Sequence, residues 1–337
     1  MQELIKEVQS DIPLTSRPFL YLARKTGMSE EEAISSMELL IKEGRVRHFG
    51  PIFSAPSFGY ETALVAFRVS GDPSLCAEFV NTYPGVSHNY EREGPYNLWF
   101  TVAVPPDSSL KLKGVVERMA RRCGVKDYLI LKAVKTFKLR VDLSFTHVLE
   151  KVPVKNDTVI KRVEKPAFRK IDPLIRETVR VSQECLSPVR EPFGEVADRL
   201  RLSQRGLLSI LRNLKRTGHL RKFTAVFNHR KEGFRANILT VWRVPAGRVN
   251  EFGKLLSSFR CVSHCYERIA DGRSDWHYNL FAMVHARTHD DARIFVDHIR
   301  ATAGVDDVLL LGSRREFLKR RLKLFTEDFY EWERRGC

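Results

Sequence analysis

Between Arg17 and Gly44 the apolar residues fall three and four positions apart, the period of a helix. Pro18 opens the first run and Gly27 closes it. Ser29 then precedes Glu30-Glu31-Glu32, a helix-start signature, and Ala33, Ile34, Met37, Leu40 and Ile41 form one apolar stripe that Gly44 stops. Two helices across a short turn predict a helix-turn-helix. Beyond it the period shortens to two, the period of a strand. Alternation predicts strands at 62–69, 86–91, 96–104 and 128–134, with helices at 73–83 and 108–123 between them. The order is β-α-β-β-α-β, a ferredoxin-like arrangement.

The whole pattern then recurs. Residues 86–92 read VSHNYER and residues 262–268 read VSHCYER. Tyr96-Asn97-Leu98 returns as Tyr278-Asn279-Leu280, after the longer connection IADGRSDWH. Gly44-Arg45-Val46-Arg47-His48-Phe49 aligns with Gly218-His219-Leu220-Arg221-Lys222-Phe223, and Pro18-Phe19 and Ser29 with Pro192-Phe193 and Ser203. Chance does not give these matches in one order. The second copy predicts helices at 192–202 and 203–217, strands at 236–244, 262–268, 278–285 and 305–311, and helices at 246–259 and 289–303. The expected class is therefore α+β, a tandem repeat of a winged-type helix-turn-helix head and a ferredoxin-like domain. Its parts are heads at 1–55 and 171–229, sheet domains at 56–145 and 230–313, a polar linker at 146–170 and a charged C-terminal helix at 314–337. The two sheet domains should pair within the chain as a pseudo-dimer, and a homodimer stays open.

A net charge of +16 over 337 residues favours polyanionic partners. No run reaches the roughly 18–20 apolar residues of a membrane helix, and MQELIKEVQSDIPL lacks the basic start and apolar core of a secretory signal. Six cysteines in a chain of this length make no disulfide scaffold. A cytoplasmic protein without membrane contact is expected.

Side chains alternate across a strand, so His88, Tyr90 and Arg92 share one face, as do His264, Tyr266 and Arg268. Helices cover one face of a ferredoxin-like sheet, leaving the other for a partner sheet or a ligand. An imidazole, a phenol and a guanidinium in a row suit an anion: Arg can grip a carboxylate through two hydrogen bonds, and His can donate a proton near neutral pH. The bland alternative is a polar seam between copies. A second basic group, Arg47-His48 with Arg221-Lys222, Arg230 and Arg235, lies where head meets sheet domain. Tyr96, Asn97 and Trp99 open the third strand, with Trp99 expected to pack. Cys261 and Cys265 align with Gly85 and Asn89, so the repeated cluster does not use thiols.

A helix-turn-helix raises the possibility of DNA binding. The second helix of copy one carries Glu30, Glu31, Glu32, Glu38 and Glu43 against Lys42 alone, a surface DNA repels. Copy two carries Arg205, Arg212, Lys215 and Arg216 without an acid. A paired operator reader needs both heads, which argues against nucleic acid.

This architecture resembles the Lrp/AsnC regulators. The motifs VSHNYER…YNLWFTV and RKFTAVFNHRKEGFRANILTVWRV are more specifically similar to the siroheme decarboxylases, copy one to one subunit type and copy two to the other, over nearly the whole chain. The resemblance implies cofactor-independent loss of carbon dioxide from two acetate side chains of siroheme, giving 12,18-didecarboxysiroheme on a route to haem d1 or haem. The iron would enter only with the substrate. His88 and His264 would then be proton donors or axial ligands to the substrate iron, and Tyr90 and Tyr266 would orient or relay. Carboxylates would be held by Arg92 and Arg268 with Arg47, His48, Arg221, Lys222, Arg230 and Arg235, and Tyr96, Asn97 and Tyr278 would add contacts. The alternatives are an Lrp/AsnC-type DNA-binding regulator and a tetrapyrrole sensor without catalysis.

Overall fold

The computed structural model describes residues 1–139, 145–152, 171–228, 236–271 and 275–335, with the backbone alone at 161–162. The chain divides into two compact units: Met1–Tyr60, Pro166–Lys231 and Lys323–Glu327 form one, and Glu61–Lys165, Glu232–Leu322 and Asp328–Cys337 the other.

The first unit gathers both heads. Copy one supplies α1 (Gln2–Gln9), α2 (Pro18–Thr26), α3 (Glu30–Lys42) and β1 (Val46–Phe53). Copy two supplies α6 (Pro173–Ser182), α7 (Gly194–Arg199), α8 (Gln204–Arg216) and β7 (Leu220–Phe227). The caps are those the sequence announces. Ser29 and Glu32 exchange hydrogen bonds in a capping box, Ser203 accepts from Gly206 N–H, and Gly27 ends α2 in the left-handed region at φ 70°. β1 and β7 pair antiparallel as a two-stranded ribbon, His48 opposite Val226 and Ile52 opposite Lys222. Phe19, Phe49, Phe193 and Phe223 are fully buried, and neighbouring rings stand 5.0–5.4 Å apart.

The second unit holds both sheet domains. Copy one contributes β2 (Glu61–Phe67), α4 (Ser74–Asn81), β3 (Val86–Arg92), β4 (Leu98–Val104), α5 (Lys111–Arg122) and β5 (Tyr128–Leu139). Copy two contributes β8 (Ala236–Trp242), α9 (Val249–Ser258), β9 (Val262–Ala270), β10 (Leu280–Ala286), α10 (His289–Ala303) and β11 (Val308–Lys319). Each copy has the ferredoxin-like strand order, β5-β2-β4-β3 and β11-β8-β10-β9. The two sheets join at both edges, β3 to β11 and β9 to β5, closing a ring of eight strands; β6 (Lys161–Arg162) adds to the far part of β5. Helices lie outside the ring. Leu280, Ala282 and Val284 pack outward with Phe252, Phe295 and Ile299 of α9 and α10. Trp99, Leu129, Leu131, Leu239, Val241 and Phe281 from both copies meet inside.

This closure corrects the expected tail. Residues 314–319 continue β11 rather than starting a helix, and the C-terminal helix is short, α11 (Asp328–Arg334). The reason is pairing: the second half of β11 finds β3 of the other copy as a partner, so its backbone groups are satisfied in a strand. After each fourth strand the chain clasps the opposite copy. In α11 the Phe329 and Trp332 rings stand 5.7 and 4.8 Å from Tyr83, and Trp332 Nε1 donates to Thr82. Residues 146–152, expected as part of the linker, instead pack: Val148 is buried with Phe145 beside Phe259, and Val152 N donates to Ser258 O at 2.7 Å. A disulfide, Cys76–Cys123, ties α4 to the end of α5. Among the described residues no helix is long and apolar enough to cross a membrane.

Gly85 marks how closely β3 enters this ring. A Cβ there would stand 1.9 Å from the Ala103 carbonyl oxygen, while Ala103 N–H donates to Gly85 O. Backbone cannot retreat from that contact as a flexible side chain could. Gly85→Ala is expected to cost about 1–3 kcal/mol, read as a lowered urea midpoint; an unchanged midpoint would contradict this packing.

Candidate functional site

The repeated strands β3 and β9 place their His, Tyr and Arg side chains on the inner face of the ring. Asn89, between His88 and Tyr90, points the other way and donates to Asn81 Oδ1 and Ala77 O of α4. On the inner face the two clusters are nearly superimposable. The His88 and Tyr90 rings stand 6.3 Å apart at 25°, and those of His264 and Tyr266 stand 6.3 Å apart at 26°. Arg92 lies 5.0 Å over Tyr90, and Arg268 lies 4.7 Å over Tyr266. Each imidazole meets the hydroxyl of the preceding serine through Nδ1: Ser87 at 3.0 Å and Ser263 at 2.7 Å. Both serines stand in the matched heptapeptides, and their repetition was the available signal for them.

The arginines are not free to grip a carboxylate as expected. Arg92 is buried, and its Nη1 donates to Leu311 O at 2.9 Å and Ser313 Oγ at 3.0 Å on the other copy's β11. Arg268 Nη1 donates to Leu131 O at 2.9 Å on β5. Burial lowers both guanidinium pKa values to about 10, so both remain charged at neutral pH. They pin the seams between copies and set a cation behind each tyrosine. The polar-seam alternative thus holds for the arginines, whereas the half-buried His88, Tyr90, His264 and Tyr266 line the inner face.

The seams also make the clusters unequal. Across from His88, Tyr90 and Arg92 stand Lys319, Glu316 and Ser313; across from His264, Tyr266 and Arg268 stand Leu139, Thr136 and Ala133. Tyr90 OH donates to Glu316 at 3.2 Å. Burial, and then the positive charge of Lys319, lowers the His88 pKa to about 4. His88 is therefore neutral at pH 7 and is not a standing imidazolium. This has a consequence for stability. The unfolded chain takes up a proton at His88 near pH 6.5, while the folded chain resists until about pH 4. Stability is complete above pH 6.5 and falls as pH drops toward 4, by up to about 3 kcal/mol. His88→Gln should flatten that part of the profile in substrate-free urea unfolding; an unchanged slope would contradict the burial assigned to His88.

Tyr96, Asn97 and Tyr278 hold structure instead of reaching for a ligand. Tyr96 OH donates to Asp127, and Tyr278 makes the matching bond to Asp307. Asn97 exchanges two hydrogen bonds with Val69, as Asn279 does with Val244. Trp99 is packing, its Nε1 bonded to Tyr96 O. Arg47, His48, Arg221 and Lys222 belong to the other unit, on β1 and β7. There Arg47 bonds Asn228, Lys222 bonds Gln9 O, His48 is buried, and Arg221 is exposed. Arg230 and Arg235 lie outside the described residues. Cys261 and Cys265 are buried, and burial pushes both thiols up to about 12. A hollow of about 500 Å³ is lined by Glu117, Ala120, Arg121, Val125, Lys126 and Tyr128, from α5 to the start of β5, and by no histidine.

In both heads, charged side chains of the second helix are engaged within the fold. On α8, Arg212 donates to Leu14 O and Lys215 pairs with Asp11, so half of its basic residues serve the fold. On α3, Glu30 pairs with Arg17 and Glu31 with Arg190.

Comparison with known proteins gives the family. The profile of the AsnC-like ligand binding domain matches residues 57–138 and 231–318, both sheet domains, and that of the siroheme decarboxylase NirDL-like HTH domain matches residues 2–47. A siroheme decarboxylase of Hydrogenobacter thermophilus is 40% identical over 98% of this chain and 96% of its own. The chain belongs to the siroheme decarboxylase family. The crystal structure of the siroheme decarboxylase NirDL aligns over 99% of this chain and 97% of that one, with TM-score 0.80 and 36% identity. A second structure, of NirDL in co-complex with an iron-uroporphyrin III analogue, aligns with TM-score 0.78 over the same shares. The alignment with this fused relative runs across both copies, and the paired clusters on β3 and β9 are among the features the duplication preserves here.

Proposed function

We propose that this protein decarboxylates siroheme, converting two acetate side chains to methyl groups and giving 12,18-didecarboxysiroheme. The observation that carries this reading is the twofold Ser-His-Tyr-Arg array on the inner face of the ring, in a chain of this family. Loss of carbon dioxide breaks a carbon–carbon bond and leaves its electron pair on the side-chain carbon, delocalised into the conjugated macrocycle. A proton must then reach that carbon. The imidazoles of His88 and His264 and the phenols of Tyr90 and Tyr266 are the groups of this chain suited to hold and move it. Arg92 and Arg268, buried behind the phenols, favour any negative charge that develops there. Lys319, on the strand beside His88, is the cation we assign to a peripheral carboxylate. The macrocycle is its own electron sink, so this reading needs no further cofactor. It also favours catalysis over DNA reading, because the acidic α3 and the engaged bases of α8 serve a duplex poorly.

The test is anaerobic incubation of the purified protein with siroheme, followed by mass spectrometry. The expected result is loss of two carboxyl groups as carbon dioxide. Intact siroheme bound to the protein would instead indicate a sensor, and intact siroheme without binding would remove the reading.

A further inference from the structure

The two histidine clusters share geometry but differ in what lies behind the serine. In copy two, His285 on β10 is buried, its Nε2 2.7 Å from Ser263 Oγ and its Nδ1 2.6 Å from Asn237 Oδ1 on β8. Ser263 Oγ is in turn 2.7 Å from His264 Nδ1. This is a continuous chain, Asn237–His285–Ser263–His264, across three adjacent strands of the ring. Strand pairing places Thr62 opposite Ala103 in copy one and Asn237 opposite His285 in copy two, at matching points of the repeat. Copy one therefore has an alanine where copy two has His285. Ser87 meets the Thr101 hydroxyl instead, at 2.8 Å, and either oxygen can be the donor.

We propose that His285 and Asn237 are positioning residues that fix the tautomer of His264. A carbonyl oxygen only accepts, so Asn237 Oδ1 takes the hydrogen of His285 Nδ1. Neutral His285 is then an acceptor at Nε2, and the Ser263 hydroxyl donates to it at 2.7 Å in preference to Met283 O at 3.5 Å. The serine oxygen is left as an acceptor for His264 Nδ1–H. The hydrogen of His264 is thereby held on Nδ1, and its Nε2 carries a lone pair. In copy one the hydroxyl pair Ser87–Thr101 can point either way, so nothing of the kind fixes His88. The duplicated imidazoles are thus dedicated to different tasks. His264 presents a lone pair, fit to accept a proton or meet the substrate iron; His88 can present either form. Outer hydrogen-bond partners of this sort commonly matter by about 10–100-fold in activity.

The assignment of tasks rests on the proposed function, but the tautomer does not, and the two are tested apart. In ¹⁵N-histidine-labelled, substrate-free protein, long-range ¹H–¹⁵N spectra report which ring nitrogen of His264 is protonated. The expected result is Nδ1–H in the wild type, kept in His285→Gln, whose amide oxygen can accept from Ser263 while its NH₂ donates to Asn237, and lost in His285→Leu. Nε2–H at His264 in the wild type, or an unaltered tautomer in His285→Leu, would overturn the proposal. With siroheme, kcat should fall about 10–100-fold in His285→Leu with KM little changed, and recover in His285→Gln. A wild type that shows Nδ1–H but converts no siroheme would sink the functional reading and leave the positioning role standing. Equal kcat in all three proteins would overturn the role assigned to His285.

Discussion

Replacing His264 by alanine is expected to lower siroheme decarboxylation by about 10²–10⁴-fold, the usual contribution of a positioned acid or base, without unfolding the protein. His264 is half-buried on the inner face, where its Nδ1 meets Ser263 Oγ at 2.7 Å and its ring stacks with Tyr266. Its neighbour on β5, Leu139, is itself exposed, so the truncation opens no cavity deep in the core. His88→Ala is expected to lose activity as well, because the same array with the same ring separation and angle is built twice. Accumulation of a once-decarboxylated product in one variant alone would assign that cluster to the second step. Full conversion by either variant would withdraw its histidine from the chemistry.

The second large effect falls on stability. Arg92→Ala removes a buried cation from Leu311 O and Ser313 Oγ, leaving both acceptors on β11 without that donor. Hydrogen bonds to a charged group contribute about 1.5–3 kcal/mol, and a buried acceptor left unsatisfied adds its own cost. The expected loss is about 3–5 kcal/mol, read by urea unfolding at pH 7. Arg268→Ala should cost less, since Arg268 keeps some exposure and its Nε has no hydrogen-bond partner. A fully stable Arg92→Ala protein with a raised KM for siroheme would contradict the structural role and restore the carboxylate grip that the sequence suggests.

The fold was largely readable because its signals are local. Ser29, Gly27 and Ser203 announce the helix ends, and the short apolar runs of β4 and β10 announce buried strands. The repeat of the Val-Ser-His-x-Tyr-x-Arg heptapeptide also marks the cluster in the sequence alone. What the sequence hid is long-range. Residues 314–319 look like a charged surface helix until β3 is available to pair with them, so Glu316 and Lys319 could not be placed beside Tyr90 and His88. Arg92 and Arg268 looked like anion grips because nothing local shows that a backbone carbonyl of the opposite copy stands within hydrogen-bonding distance. Asn97 and Tyr96 repeat as faithfully as the histidines, yet for strand-end locking, so repetition alone does not separate chemistry from architecture. His285 escaped for the opposite reason. It differs from its counterpart Ala103, and a search for what the copies share passes over it.

The most direct test of the central claim is a crystal structure with siroheme or its decarboxylated product bound under anaerobic conditions. The account predicts a macrocycle with the Nε2 edge of His264 or His88 against its iron or against a carbon that loses carbon dioxide, and with the tyrosine of that cluster beside it. A macrocycle bound where neither imidazole touches it, with both rings sealed in the wall of the ring, would contradict the account.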